Sequence, residues 1–195
     1  MIARLLVSLS LLPILTACAE PPAGPAAPPA YVSEAPLPKG WPQPGPYDRV
    51  TEKSYPAYRA AFTSGRGETG SFWTLFLHIK RNDIPMTAPV EMAVQPNENG
   101  VARSNMAFLY QDSAVGKTGP DGRSVEVRDV PMAKALSYTW QGPDSDQNVA
   151  KARAALDEEL GRRKITAAGF RLLGYNGPAT PRAKATWELQ AILPR

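Results

Sequence analysis

Two side chain types that can bind a metal ion or attack a substrate are nearly absent from this sequence. His78 is the one histidine and Cys18 the one cysteine. A Ser–His–Asp triad needs a histidine beside its nucleophile, and zinc sites need three or four nitrogen, sulfur or carboxylate ligands. A single cysteine also excludes a disulfide framework within the chain. We therefore expect a protein that is not an enzyme, and His78 is the first candidate for a metal ligand.

Cys18 ends the N-terminal stretch MIARLLVSLSLLPILTAC, which has one basic residue, Arg4, followed by an apolar run. That run is too short to cross a bilayer, which takes roughly 20 residues, and is typical of a secretory signal. Leu15-Thr16-Ala17-Cys18 resembles the lipobox of bacterial lipoproteins. The resemblance implies a signal peptide over residues 1–17, acyl chains on Cys18 as a membrane anchor, and a periplasm-facing protein of the outer membrane. The alternative is an ordinary signal peptide followed by an unrelated cysteine.

A proline-rich segment separates the predicted anchor from the rest of the chain. Residues 19–46 contain ten prolines among 28 residues. Such a composition favours extended polyproline II structure over a packed core. We interpret residues 18–46 as a lipid-anchored tether that holds a domain away from the membrane. A proline-rich ligand for another protein module is the alternative.

Residues 47–195 are long enough for one hydrophobic core, so we predict a single domain there. The net charge of the chain is +4, and its basic residues are scattered along the sequence and do not form a stripe. A high isoelectric point without such a stripe is weak support for nucleic-acid binding. We expect no nucleic-acid partner.

The domain contains two copies of one pattern. Residues 47–65 and 124–142 each begin with alternating residues, pass a proline (Pro56 or Pro131) and end on glycine. Each copy indicates a strand interrupted by a kink or bulge. Helical periodicity follows in residues 71–82 and again in residues 145–163, where Ser145 or Asp146 would cap the helix.

Each predicted helix is followed by two strand-like stretches, MTAPVEMAVQ and SNMAFLYQ in the first copy, GFRLLGYN and KATWELQAIL in the second. The pattern β-α-β-β therefore occurs twice. It predicts an α+β fold, a distorted antiparallel β-barrel with both helices on one face of a curved sheet.

Two segments of the domain are similar to a known family. The helix FWTLFLHI leads into NDIPMTAPV, and the chain closes with LGYNGPATPRAKATWELQ. Both resemble segments of the SOUL haem-binding protein family. The resemblance covers nearly all of residues 47–195 and implies a two-repeat barrel that binds haem or another tetrapyrrole without catalysis. The same fold is implied for bacterial effector-binding domains, which bind small molecules in a concave face.

This chain departs from the family at one position that bears on iron. Some members carry a first-strand histidine that has been proposed as a ligand. The matching stretch here, EKSYPAYRA, has Ser54 and no histidine. Iron coordination of that kind therefore does not carry over to this chain.

The block from Met86 to Val90 follows Pro85 and contains Pro89. These two prolines stiffen the entry to a strand beside the first helix. We predict that this block forms one wall of a pocket for a flat apolar ring. The alternative is a strand entry that merely packs against the helix end.

On a helical wheel His78 falls opposite the apolar residues of its helix, so we expect it to be exposed. A haem docked on that outer edge would find His78 for iron, stacking on Trp73 and cations for its propionates. The predicted ligand-binding residues are Trp73, Leu77, His78, Lys80, Arg81, Met86 and Pro89.

Two other functions fit the same sequence. The long tether suits an envelope module that binds a protein partner through the exposed helix edge. Alternatively, Glu91 and Glu188 on the concave face of the sheet would attract a small cationic effector, although strand glutamates facing water need no function.

Overall fold

A computed structural model describes residues 30–63, 68–97 and 100–195. The predicted signal peptide and the predicted anchor Cys18 lie outside the described residues. No helix in the described part of the chain combines the length and hydropathy needed to span a bilayer.

The described residues form nine strands and two α-helices, with a short 3-10 helix at Arg182–Lys184. In chain order they are β1 (Val50–Tyr55), β2 (Tyr58–Thr63), α1 (Glu68–Arg81), β3 (Val90–Asn97), β4 (Gly100–Leu109), β5 (Gly119–Asp121), β6 (Val125–Val130), β7 (Ala133–Gln141), α2 (Asp146–Arg163), β8 (Gly169–Gly174) and β9 (Thr186–Ile192). Both predicted helices are present, and Ser145 caps α2 by accepting from the Asn148 amide at 3.3 Å.

Pro56 and Pro131 each separate two distinct strands, whereas we predicted that each would only kink a single strand. Pro56 lies between β1 and β2, and Pro131 between β6 and β7. β1 pairs with β7, whereas β2 pairs with β4 and β6. Proline cannot donate to a strand ladder, so each break lets the chain leave one partner and join another.

All nine strands form one antiparallel sheet in the order β1-β7-β9-β8-β3-β4-β2-β6-β5. Strands β1, β2, β3 and β4 of the first repeat correspond to β6, β7, β8 and β9 of the second. Exchanging each strand with its counterpart reverses the order of the first eight strands. An approximate twofold axis therefore passes between β8 and β3. This symmetry is the one expected from a duplicated β-α-β-β unit. Within the described residues the terminal strands β1 and β5 do not pair with each other, so the sheet is open and the predicted barrel is not confirmed.

The two faces of the sheet are covered differently. Both helices pack on the same face, where Leu75 and Ile79 of α1 and Leu156 and Leu160 of α2 join one large hydrophobic cluster. The opposite face carries a second, more aromatic cluster that includes Trp41. Because successive strand residues point to opposite faces, one sheet serves both clusters.

Candidate functional site

A groove of about 520 Å³ opens between α1, the start of β3 and the segment that joins β8 to β9. Its walls are mainly apolar, with phenylalanines from α1, methionines from β3, from β4 and from the segment before β3, and an indole from β9. The apolar and aromatic lining residues are Phe72, Phe76, Met86, Val90, Met92, Met106, Tyr175 and Trp187. The volume and the lining are those of a small-molecule site.

Gly174 and Trp187 shape one wall of the groove. They are paired across β8 and β9, and a Cβ added to Gly174 would lie 2.8 Å from the Trp187 ring. The indole can therefore lie against the β8 backbone only because residue 174 has no side chain. The buried Nε1 of Trp187 has no hydrogen-bond partner among the described residues.

Replacing Gly174 by alanine is expected to lower the free energy of unfolding by about 1–3 kcal/mol, because the indole of Trp187 must move away from the new methyl group. Denaturant unfolding followed by fluorescence measures the loss. Gly161→Ala is the matched control. A Cβ at residue 161 of α2 meets open space, and alanine is the better helix former, so stability should be unchanged or slightly higher. Equal stability of the two variants would contradict the close contact between Gly174 and the indole of Trp187.

The Met86–Val90 block is held in place by hydrogen bonds from two sides. The Thr87 hydroxyl donates to the carbonyl of Leu109, and the Ala88 amide donates to the carbonyl of Pro36 at 3.0 Å. Met86 and Val90 line the groove, whereas the ring of Pro89 is buried outside its lining. The block is thus both a wall of the groove and the packed entry to β3.

The prediction that His78 is exposed is wrong. Its side chain is only 3% exposed, because Tyr110 at the end of β4 and Asp121 of β5 cover that side of α1. Nε2 lies 2.7 Å from the Tyr110 hydroxyl, and Nδ1 contacts the Asp121 carboxylate. Burial raises the pKa of Tyr110 to about 12, so its hydroxyl stays protonated beside Nε2. Both ring nitrogens are occupied, and His78 does not line the groove.

Asp121 connects the short strand β5 to α1. Its carboxylate accepts from His78, from Arg81 and, at 3.2 Å, from Asn82. The hydrogen bond from His78 and then that from Arg81 hold the pKa of Asp121 below its usual value. A lowered carboxyl pKa means that the ionised form is preferred in the folded state.

Asp121→Asn is expected to destabilise the protein at neutral pH and to lose this effect in acid. The contribution of Asp121 is fully present above its unfolded pKa of about 3.9 and disappears as the pH falls through the lower folded value. Unfolding free energies of both proteins, measured between neutral pH and about pH 2, should converge at the acid end. A difference that is constant with pH would contradict the ionic role of Asp121.

The remaining predicted residues of α1 lie on its outer edge, away from the groove. Trp73 and Leu77 are 55% and 64% exposed. The Lys80 ammonium lies 5.8 Å from the centroid of the Phe76 ring, and Arg81 binds Asp121. Of the predicted ligand-binding residues, the structure thus brings Met86 to the groove, together with Phe72 and Phe76, which were not among those predicted.

Described residues of the proline-rich segment lie against the domain. Val32 accepts from the Asn176 side chain, Pro36 from Ala88, and the Glu34 carboxylate accepts from the Gly177 amide at 2.7 Å. Trp41 is buried against the sheet face opposite the helices. We call residues 31–41 the strap, because they run over this face and, through Glu34 and Ala35, also line the groove.

Beneath the strap, Glu188 of β9 is completely buried and fully paired. Oε1 accepts from the Tyr55 hydroxyl and from Gln190, both at 2.5 Å. Oε2 accepts from Lys53 at 2.6 Å and from Thr139 at 2.9 Å. Burial and the nearby charge of Glu188 raise the pKa of Tyr55 well above its usual value, which keeps this donor protonated.

Glu91 of β3 lies in the same polar cluster. Its Oε2 accepts from the Tyr58 hydroxyl at 2.6 Å and from Arg171 Nη1 at 3.0 Å. The interpretation of Glu91 and Glu188 as water-facing strand residues is therefore wrong, because Glu188 is completely buried and Glu91, 13% exposed, is paired inside the cluster. Alternation placed both glutamates on this face correctly, but residues distant in sequence supply their partners.

In the described part of the chain, no group of three or more histidine, cysteine or acidic residues could hold a metal ion. Within the groove, the carboxylates of Glu34 and Asp144 already have partners, Gly177 and Arg103. The groove can therefore enclose an apolar ligand.

Comparison with solved structures shows where else this fold occurs. One similar structure is a hydrolase from Listeria innocua, with 11% sequence identity and a TM-score of 0.57 over 76% of this chain and 93% of that chain. Another is the C-terminal domain of EcmrR, with 16% identity and a TM-score of 0.53 over 75% of this chain and 98% of that chain. At these identities the likeness shows the fold alone.

A search of curated proteins finds no match to the chain. Family membership rests on sequence. The model of the family described as SOUL heme-binding protein matches residues 45–189, which include the groove walls other than the strap, the Met86–Val90 block and most of both repeats. The match spans most of the chain, and the protein belongs to the SOUL heme-binding family.

Proposed function

We propose that the protein binds haem or another tetrapyrrole in the groove beside α1 and carries out no reaction on it. The observation that carries the proposal is an apolar, aromatic groove of about 520 Å³ in a SOUL-family domain. A planar ring buried there would be held mainly by apolar contact, at about 25 cal/mol per Å².

The lining residues fit the parts of a tetrapyrrole. Phe72, Phe76 and Trp187 offer aromatic surface to the ring, and Arg182 is an exposed cation that can pair with propionate groups. Haem would supply redox-active iron, for which the groove offers methionine sulfur from Met86, Met92 or Met106. No histidine lines it, so ring contact and not iron ligation would provide most of the affinity.

Titration of the purified full-length protein with hemin and with metal-free protoporphyrin tests the proposal. We expect a saturable change in the Soret band for hemin, and an affinity for the metal-free ring within about tenfold of it, since iron contributes little. His78→Gln should leave the hemin spectrum unchanged, because the ring of His78 lies outside the groove. A folded protein that binds neither compound would overturn the proposal.

A role in binding a protein partner is the second candidate, and the outer edge of α1 favours it. Trp73 and Leu77 are one turn apart and more than half exposed, beside the groove wall formed by Phe72 and Phe76. A double Trp73→Ala, Leu77→Ala variant that binds hemin normally but recovers fewer partners from cell envelopes would support this role. Equal recovery by the parent protein and the variant would exclude that edge.

We also propose the location predicted from the N-terminus, a lipid anchor on Cys18 in the outer membrane with the domain facing the periplasm. Labelling with a radioactive fatty acid should modify the parent protein and not Cys18→Ser. An unmodified parent protein would contradict the anchor without affecting the proposal for the groove.

A further inference from the structure

The guanidinium group of Arg171 lies inside an aromatic box on the sheet face opposite the helices. Its Cζ lies 5.5 Å, 5.2 Å and 5.7 Å from the ring centroids of Trp41, Tyr55 and Tyr58. The side chain is 8% exposed. Aromatic faces attract cations, most strongly when water is excluded.

The polar groups of the box also suit a flat cation with forked donors. Arg171 Nε donates to Gln190 Oε1 at 2.6 Å, and Nη1 donates to the Tyr58 hydroxyl at 2.7 Å and to Glu91. Nη2 is buried without a hydrogen-bond partner among the described residues. Burial opposes the charge on Arg171, but the carboxylate of Glu91 and the neighbouring tyrosines together outweigh it and hold the pKa above its usual value.

One wall of the box comes from outside the sheet. Trp41 belongs to the strap, meets Tyr55 and Tyr58 edge to face at 4.9 Å and 5.2 Å, and donates from Nε1 to the Tyr175 hydroxyl at 3.3 Å. The strap therefore completes the box and closes it from water. The arrangement of rings, carboxylate and cover is that of a ligand site, but its occupant is part of the chain.

We propose that this box is a binding site for a planar organic cation of the guanidinium class, and that Arg171 is its built-in occupant. The site is independent of the groove, which lies beside α1 and does not include Arg171. While Arg171 is in place, Glu91 is neutralised internally and outside cations are excluded. Removing its side chain beyond Cβ opens the box to alkylguanidinium compounds.

Chemical rescue of Arg171→Ala tests the proposal in the full-length protein. The variant should unfold at a lower temperature than the parent protein, because Glu91 loses its buried partner. N-methylguanidinium should raise its Tm by several degrees over a titration, in proportion to the logarithm of concentration. The parent protein should show no such rise, and methylammonium, which lacks the planar fork, should act more weakly on the variant.

Arg153→Ala is the matched control. Arg153 also covers an aromatic ring, with Cζ 3.8 Å from the Phe170 centroid, and pairs with Asp157, but on the surface of α2. Methylguanidinium should leave its Tm unchanged. Adding Trp41→Ala to Arg171→Ala should weaken the rescue, since one wall of the box is lost.

Equal responses of Arg171→Ala and Arg153→Ala to methylguanidinium would overturn the proposal. If Arg171→Ala does not fold on its own, refolding from denaturant becomes the readout. Recovery that is greater with methylguanidinium than with methylammonium supports the built-in cation site. Equal recovery with the two compounds, or no recovery with either, counts against the built-in cation site.

Discussion

Phe76→Ala is expected to weaken hemin binding by about 10- to 100-fold. Phe76 is half-buried, lines the groove from α1 and presents its ring to the space that we assign to the tetrapyrrole. Burying a phenylalanine side chain contributes about 1.5–3 kcal/mol, and each 1.4 kcal/mol changes the dissociation constant tenfold. Spectroscopic titration with hemin measures the change.

Leu77→Ala is the matched control, since Leu77 is the next residue of α1 and its side chain is 64% exposed. Its hemin affinity should stay within about twofold of the parent value, because an exposed side chain outside the groove gives up little apolar contact. Equal weakening by the two substitutions would place the ring on the outer edge of α1. No weakening by Phe76→Ala, with the fold intact, would remove the groove from the proposal.

Glu188→Ala is expected to lower the free energy of unfolding by about 3–5 kcal/mol, the range for breaking one side of a buried ion pair. The substitution removes the carboxylate that lies 2.6 Å from Lys53 and that accepts from three neutral donors, Tyr55, Thr139 and Gln190. Denaturant unfolding with two-state analysis measures the loss. Glu126→Ala is the control, because its pair with Arg128 is 3.9 Å long and exposed, and should change stability by less than about 1 kcal/mol.

Adding Lys53→Met to Glu188→Ala should recover part of the loss, because the ammonium group no longer lies buried and unpaired. The coupling energy from this double-mutant cycle reports the pair directly. A coupling near zero would mean that Lys53 reaches water and that Glu188 is supported by its neutral donors alone.

The hydrophobic pattern of the sequence was enough to predict both helices, the strands that follow them and the duplication. The periodic runs at residues 71–82 and 145–163 correspond to α1 and α2, and the four strand-like stretches after them to β3, β4, β8 and β9. These features are local, since they depend on side chains a few residues apart on one helix or strand. The motifs at Met86–Val90 and in the closing segment also led to the SOUL family, which the family match confirms.

The surroundings of His78 could not be predicted from its helix. A helical wheel shows which residues share a side of α1, but it does not show what packs against that side. The short strand β5, about 40 residues later in the chain, brings Asp121 to Nδ1, and the residue after β4 brings Tyr110 to Nε2. A polar position opposite the apolar side was thus taken for a surface position.

The proline-rich composition of the strap similarly did not predict that this segment packs against the domain and covers one face of the sheet. Prolines in residues 31–41 excluded a helix, but did not prevent a docked segment held by Trp41 and by backbone hydrogen bonds. Sequence alone determined the duplicated α+β unit and its family, because both are written in short-range patterns. Tertiary structure decided which polar side chains are buried. Glu188, Lys53, Arg171 and Trp41 lie close together only after strands far apart in the chain have paired.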